Sequence, residues 1–435
     1  MAATEILILV LSFIILLTIG VPVAYSLGIS GILTMLAGIL PLPAATTFAQ
    51  RMATGLDSFA LLAIPFFVLA GELMNRGGIA TRLVNFAKAL VGMLPGGLAY
   101  VNILACMLFG AISGSAVAAA SAIGGFMNPA MAKEGYSKEF GAAVNITSST
   151  TGMLIPPSNI LIVYSLASGG VSIAALFVAG YLPGILLGLS LMIVAGVWAY
   201  RNKYPVGSLP KFMELIKSLL DALPSLLLLF IVIGGIIAGV FTATEASAIA
   251  VFYTFILSVL IYKEVKWKDL GTIFLNTAIT TSVVMFLIAA SMGMSWVMAF
   301  EDIPQTVSEL LLNISDNPII ILIIINLLLL FVGTFMDMTP AVLIFTPILL
   351  PVMHEIGIHP VHFGMMMVAN LSIGLCTPPV GTVLFVGCGV ANVKIENVLK
   401  PMLPLFLAML ATLLLITYVP AVSLWLPEVF GLIKK

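Results

Sequence analysis

The chain has 435 residues, 61% of them apolar and 8% charged, with a net charge of −1. A soluble globule carries about a quarter charged residues, so this composition excludes one, and at ~20 residues per bilayer crossing the length allows on the order of a dozen membrane segments. No basic block offers a footprint for nucleic acid and no polar stretch is long enough for a separate catalytic domain, so the function lies within the lipid bilayer.

Residues 1–20 carry only Glu5 ahead of an apolar run and lack the basic start of a secretory signal, so they read as a first membrane helix. A break is expected at Gly20, Val21 and Pro22, then a second crossing to Leu40, an external loop over 41–58 holding Arg51 and Asp57, and a third crossing over 59–73. Glu72 precedes Arg76 by one helical turn, the spacing of a surface ion pair. Stretches 79–92 and 303–314 are amphipathic and fit surface-lying helices, or loops with helical character.

Segments 98–131 and 319–353 are long for single crossings and polar in the middle. The first carries Gly110, Ser113, Gly114 and Ser115, the second Gly333, Asp337, Thr339 and Pro340. Such a centre is tolerated in a membrane only where protein or a water-filled cavity receives the freed backbone groups, so both segments are expected to be re-entrant helical hairpins. Segments 140–166 and 363–390 each contain a diproline, which removes backbone donors and breaks the helix, exposing carbonyl oxygens. Further apolar segments run over 173–200, 223–262, 273–300 and 401–426; the one over 223–262 holds two runs with Glu245 between them, so that 201–217 and 263–269 fall on the same side.

Sliding the chain against itself by about 222 to 224 positions brings Gly152, Pro156 and Pro157 over Gly374, Pro378 and Pro379, with Gly110 near Gly333. The turn from Gly135 to Gly141 meets that from Gly357 to Gly364 with one inserted residue. Two homologous halves follow, 1–205 and 206–435. The loop after Leu73 holds Arg76, Arg82 and Lys88, whereas its counterpart after Phe300 holds Glu301, Asp302, Glu309 and Asp316. Basic residues gather in cytoplasmic loops, so the halves are expected to be inverted relative to one another. With the N-terminus outside, five cytoplasmic stretches collect 14 of the 17 basic residues, leaving Arg51, Lys434 and Lys435 outside. Lys211 falls in one of these inner stretches.

The chemistry is expected at the two breaks beside the hairpin tips. Unwound carbonyls at mid-membrane suit a sodium ion, and hydroxyls of Ser113, Ser115, Ser148, Ser149, Thr150 and Thr151 lie near the first break, those of Thr339 and Thr377 near the second. The bland alternative is that the prolines only kink these helices and the hydroxyls bond internally. Helix N-termini at the tips favour an anionic group such as a carboxylate. Asp337 serves there as a ligand or as a helix N-cap. Glu245 reads as a turn or capping residue, and Arg51 and Asp57 as an ion pair or partner contact. His354, His359 and His362 share one loop and could bind a metal, but no embedded partners accompany them. Cys106, Cys376 and Cys388 are odd in number and read as small core residues.

These features resemble the large membrane subunit of tripartite ATP-independent periplasmic (TRAP) transporters. The resemblance lies in Asp57-Ser-Phe-Ala-Leu-Leu-Ala-Ile-Pro-Phe-Phe-Val-Leu-Ala-Gly71, Gly110-Ala-Ile-Ser-Gly-Ser-Ala-Val-Ala, Gly239-Val-Phe-Thr-Ala-Thr-Glu-Ala, Gly333-Thr-Phe-Met-Asp and the diproline segments, in that order over nearly the whole chain. It implies an all-α polytopic, inverted-repeat, elevator-type transporter with two re-entrant hairpins and two broken transmembrane helices. The first repeat would hold scaffold helices 1–75, arm 76–96, hairpin 98–131 and broken helix 140–168; the second, scaffold 218–300, arm 301–316, hairpin 317–353 and broken helix 363–391.

The resemblance further implies no enzyme activity but sodium-driven uptake of an organic acid, such as a sialic acid or C4-dicarboxylate, across a bacterial inner membrane, with both termini periplasmic. The partners implied are a small four-helix membrane subunit and a periplasmic substrate-binding protein, as separate chains. By carry-over one sodium site would use Ser113, Gly152, Ile155 and Pro157, and the other Gly333, Gly374, Thr377 and Val380, mostly through carbonyls. Substrate would lie near Ser115, Ser158, Asp337 and Thr339. The rival readings are a self-sufficient sodium-coupled carboxylate symporter, a channel, or an intramembrane enzyme using Asp337 or Glu245. The last lacks an HExxH helix, facing aspartates and an activated nucleophile.

Overall fold

The computed structural model describes residues 2–207, 212–315 and 317–433. Lys211, Asp316, Lys434 and Lys435, placed in loops and at the terminus above, lie outside the described residues. Among the described residues the fold is all-helical apart from one isolated bridge between Pro95 and Val206, and eight helices are long and apolar enough to cross a membrane.

Several expected breaks fall where backbone chemistry demands. The first helix, Ala2–Thr18, ends before Gly20, which takes a left-handed φ of +89°, and Val23–Gly38 begins after Pro22. Segment 223–262 divides, as the place of Glu245 between two apolar runs implies: Phe212–Ile237 and Ala243–Ile261 flank Gly239, and the Thr242 hydroxyl and Glu245 carboxylate form a reciprocal capping box that starts the second helix. Glu245 is therefore a cap. The external loop expected over 41–58 is largely helical: Pro41 opens a helix running Pro41–Gly55, and its Phe48 is buried against Gly31 and Gly293. Arg51 on this helix lies over the Trp296 ring, 5.5 Å from its centroid, rather than pairing with Asp57.

Both amphipathic stretches are helices, Ile79–Val91 and Ile303–Ile314. Each buries one side, through Ile79, Leu83 and Ala87 in one and Ile303, Ser308 and Leu311 in the other. Their anchors differ. Arg82 reaches Asp221 at 3.4 Å and stacks over Tyr262, while Ser308 donates a 2.9 Å hydrogen bond to Glu355.

The helices assort into two groups. Val23–Gly38, Pro41–Gly55, Ala63–Arg76, Ala243–Phe255 and Trp267–Phe300 pack on one another as one group, with Phe212–Ile237 against Ala243–Phe255. The second group holds the helix pairs Gly97–Ser113 with Ala116–Lys133 and Pro318–Phe335 with Met338–Glu355, together with the interrupted segments. The first interrupted segment comprises Lys138–Ser149, Thr151–Leu154 and Asn159–Ala167; the second, Pro360–Gly374 and Thr382–Ala391. The two halves interlock here: Thr382–Ala391 packs on Ala116–Lys133, and Asn159–Ala167 on Met338–Glu355. Ile173–Arg201 and Ile395–Tyr418 pack against this group as well. Each helix pair leaves through a positive-φ glycine, Gly135 or Gly357, into a capped helix, where Ser137 Oγ accepts from the Phe140 N–H and His359 Nδ1 from the Val361 N–H.

Candidate functional site

The first helix pair turns at Gly114, whose φ of +62° suits glycine and whose N–H donates to the Gly110 carbonyl at 2.7 Å. Ser115 then caps the following helix, its Oγ accepting from the Ala118 N–H at 3.2 Å. The second pair turns at Met336 and Asp337. Asp337 occupies the N-cap position, but its side chain makes no cap hydrogen bond.

Each tip rests on the interruption of its own half. Gly114 lies so close to the first break that a Cβ on it would stand 3.2 Å from the Pro157 carbonyl oxygen. At the second, the Val380 N–H donates to the Thr334 carbonyl at 3.1 Å. Behind the tips a glycine contact is repeated. A Cβ on Gly152 would stand 2.3 Å from Gly110 Cα, and one on Gly374 would stand 2.6 Å from Gly333 Cα. Only glycine lets the two backbones approach this closely. The Pro156–Pro157 and Pro378–Pro379 bonds are cis.

Between the tips lies a cavity of about 480 Å³. Of the residues expected to hold substrate or ion, Ser113, Ser115, Asp337 and Thr339 line it together. Ser158 does not: it is fully buried and its Oγ donates to the Met153 carbonyl at 2.7 Å. Gly152, Gly333 and Gly374 form the glycine contacts behind, and Ile155 and Pro157 belong to the first break, with Ile155 packed against Gly184. The Thr377 hydroxyl donates to the Ile373 carbonyl, and Val380 lines an apolar cleft rather than this cavity.

The hydroxyl-rich stretch behaves as the bland alternative has it. Thr147, Ser148, Ser149, Thr150 and Thr151 are buried, and each donates to a carbonyl three or four residues earlier in its own segment. Two other hydroxyls line the cavity. Ser113 Oγ is buried without a hydrogen-bond partner, whereas Thr382 Oγ1 faces the Asp337 carboxylate. A buried hydroxyl left unpaired costs about 1 to 3 kcal/mol, so Ser113 suits an ion or a ligand oxygen.

The sequence reading missed Glu72, Asn75, Ser121, Asn159, Thr280 and Thr382. Glu72 does not pair with Arg76; it is half-buried on the cavity wall, and Asn75 follows it one turn later. Their i, i+3 spacing marks one helix face, but the sequence alone does not say that this face turns inward. His362 is buried with both ring nitrogens engaged, Nδ1 with Ser423 Oγ and Nε2 with the Thr417 carbonyl, which leaves no imidazole lone pair for a shared metal. Four helices start at the cavity wall, at Ala116, Asn159, Met338 and Thr382. Those at Asn159 and Thr382 have no side-chain cap.

Long apolar helices enclosing a polar cavity between two helix-pair turns and two helix breaks fit a membrane transport protein. The chain belongs to the DctM component family of tripartite ATP-independent periplasmic transporters, whose family model matches residues 10–422. It is 56% identical to YgiK of Salmonella typhimurium over 97% of this chain and 96% of that protein. It is 40% identical to the C4-dicarboxylate TRAP transporter large permease protein DctM of Rhodobacter capsulatus, over 95% of this chain and 96% of the relative. It is equally 40% identical to the sialic acid TRAP transporter large permease protein SiaM of Vibrio cholerae, again over 95% and 96%. Among solved structures, the YdaH transporter of Alcanivorax borkumensis shares the fold with a TM-score of 0.63 at 12% identity, covering 87% of this chain and 88% of that one.

Proposed function

We propose that this permease carries out sodium-coupled uptake of an organic acid across the bacterial inner membrane by an elevator movement. The observation that carries the reading is the start of four helices at one cavity wall, from both tips and both breaks. Helix N-termini present unpaired N–H groups and positive dipole ends, which favour an anion inside a low-dielectric site. The names of DctM and SiaM, a C4-dicarboxylate and a sialic acid permease, fall in the same class of ligand.

Sodium ions, as co-transported cargo, bind behind the tips. One set is Ser113, Gly152, Ile155 and Pro157; the other is Gly333, Gly374, Thr377 and Val380. The orphaned Ser113 hydroxyl supports the first. At the second, the Leu375 and Thr377 carbonyls converge on Gly381, where a Cβ would stand 3.1 and 2.8 Å from them. Because each tip is fastened to its own break, the tips and breaks move as a unit against the scaffold helices, whose Glu72 and Thr280 complete the cavity wall in the present arrangement, with the arms at 79–91 and 303–314 as braces. Repeats 1–205 and 206–435 are inverted, the hairpins re-entrant and the termini periplasmic. As one component of a tripartite system, the chain works with a small four-helix membrane subunit and a periplasmic protein that delivers substrate.

The test is uptake of labelled organic acids into proteoliposomes under an inward sodium gradient, comparing the chain alone with the chain plus both partners. Sodium-dependent uptake only with all three components is expected. Uptake by the chain alone would replace this reading with a self-sufficient symporter, and sodium-independent uptake would remove the coupling.

A further inference from the structure

The cavity has a charge character that separates two kinds of organic acid. Its described lining contains two carboxylates, Glu72 and Asp337, and no lysine, arginine or histidine. Glu72 comes from the scaffold helix Ala63–Arg76 and Asp337 from the second hairpin tip. Glu72 makes no ion pair even with Arg76 one turn away, so its oxygens are free acceptors on the wall. Around the two acids are hydroxyl and amide groups of Ser115, Ser121, Asn159 and Thr339, with the unpartnered hydroxyl of Ser113, whose residue is 5% exposed.

Resting on the organic-acid reading above, we infer that this cavity is built for a polyhydroxylated monocarboxylate of the sugar-acid class rather than a dicarboxylate, and that Glu72 is the residue that reads its hydroxyls. A single carboxylate faces the uncapped N-termini at Asn159 and Thr382, with Ser113 Oγ as a further donor. The remainder of such a ligand is a run of O–H donors, and carboxylate acceptors bind these through charge-assisted hydrogen bonds. A second carboxylate on the ligand would face Glu72 or Asp337 instead. Like charges facing one another across a partly enclosed cavity repel, and no basic side chain on its described wall offsets them. The selection is thus attraction and exclusion by the same group. Overall identity does not make this distinction, because the chain is 40% identical to a dicarboxylate permease and to a sialic acid permease alike.

The test is titration calorimetry of the purified full-length chain with its small membrane subunit in sodium buffer, without a delivery protein, using gluconate and succinate as probes. Gluconate is expected to bind at least about tenfold more tightly than succinate. In Glu72→Gln, gluconate affinity should fall about tenfold, as loss of a charge-assisted hydrogen bond implies, while succinate affinity holds or rises. Glu72→Asp should keep the preference for gluconate. Succinate binding as tightly as gluconate, or a Glu72→Gln effect equal for both probes, would overturn this inference and leave the organic-acid reading in place. Binding of neither probe by the wild type, with no other organic acid taken up in the proteoliposome panel, would overturn both.

Discussion

The two helix interruptions share a backbone plan and differ in what fills it. In both, a glycine of the break touches a glycine of the hairpin, and the hairpin tip rests on the residues after the diproline. The first break, however, is preceded by five buried hydroxyls that each bond back to their own segment, and its tip is capped by Ser115. The second is preceded by apolar Leu371 and Ile373, with Ser372 bonding back to Val368, and its tip presents Asp337 without a cap bond. The contrast teaches that abundance of polar groups is a poor guide to a site. Hydroxyls already satisfied within a helix offer little to a ligand, whereas one unpaired hydroxyl or carboxylate at a wall offers much.

Breaking the shared part of the plan should have the largest effect. Gly152→Ala places a Cβ 2.3 Å from Gly110 Cα, where only backbone could yield, and should cost about 3 kcal/mol or more in stability and abolish uptake. Gly374→Ala, at 2.6 Å from Gly333, should follow closely, and Gly333→Ala, at 3.1 Å from Gly374 Cα, should be mildest. Melting temperatures of the purified variants check the order, and equal melting for all three would deny that the contacts are tight.

The difference between the tips is sharpened by Asp337→Asn against Ser115→Ala. The first should lower uptake at least about tenfold with little change in melting, since a wall carboxylate is lost but no cap bond. The second should lower stability by about 1 kcal/mol through loss of a cap and reduce uptake less. A smaller effect, on ion dependence, is expected from Ser113→Ala. Removing an unpaired hydroxyl should raise the sodium concentration for half-maximal uptake a few-fold, whereas Thr377→Val should raise it less, because that hydroxyl already donates to Ile373. The smallest effect belongs to Ser149→Ala, which loses one bond within its own segment, worth about 0.5 to 1.5 kcal/mol, and should leave the sodium curve unmoved. A shifted sodium curve for Ser149→Ala would show that satisfied hydroxyls serve the ion after all.

Much of the architecture was legible because membrane segments obey strong local rules. Gly20 and Pro22 had to interrupt a helix, Gly114 had to turn one, and the diprolines had to break two. The helix over 41–55 was hidden because its alanines and threonines carry little periodic signal, and its one large anchor, Phe48, is buried by contacts with glycines distant in sequence. The division of 223–262 was legible in Glu245, a charged residue between two apolar runs, and the capping box that it forms with Thr242 is what starts the second helix. At the site, Ser113, Ser115, Asp337 and Thr339 could be placed from their position at the middle of overlong apolar runs. Glu72 could not, because an acid near the end of a span is ordinarily a surface residue.

That the protein crosses a membrane many times, turns at Gly114 and near Asp337 and breaks its helices at the diprolines could be read from the residues alone. Those features follow from backbone hydrogen bonding in lipid, which local residue chemistry controls. Which polar groups are left without partners, and which walls meet around one cavity, follows only from packing between distant segments. The Ser113 hydroxyl is orphaned while Ser149 is satisfied, and Glu72 faces Asp337's cavity rather than Arg76, because packing between segments far apart in the chain determines what each side chain can reach.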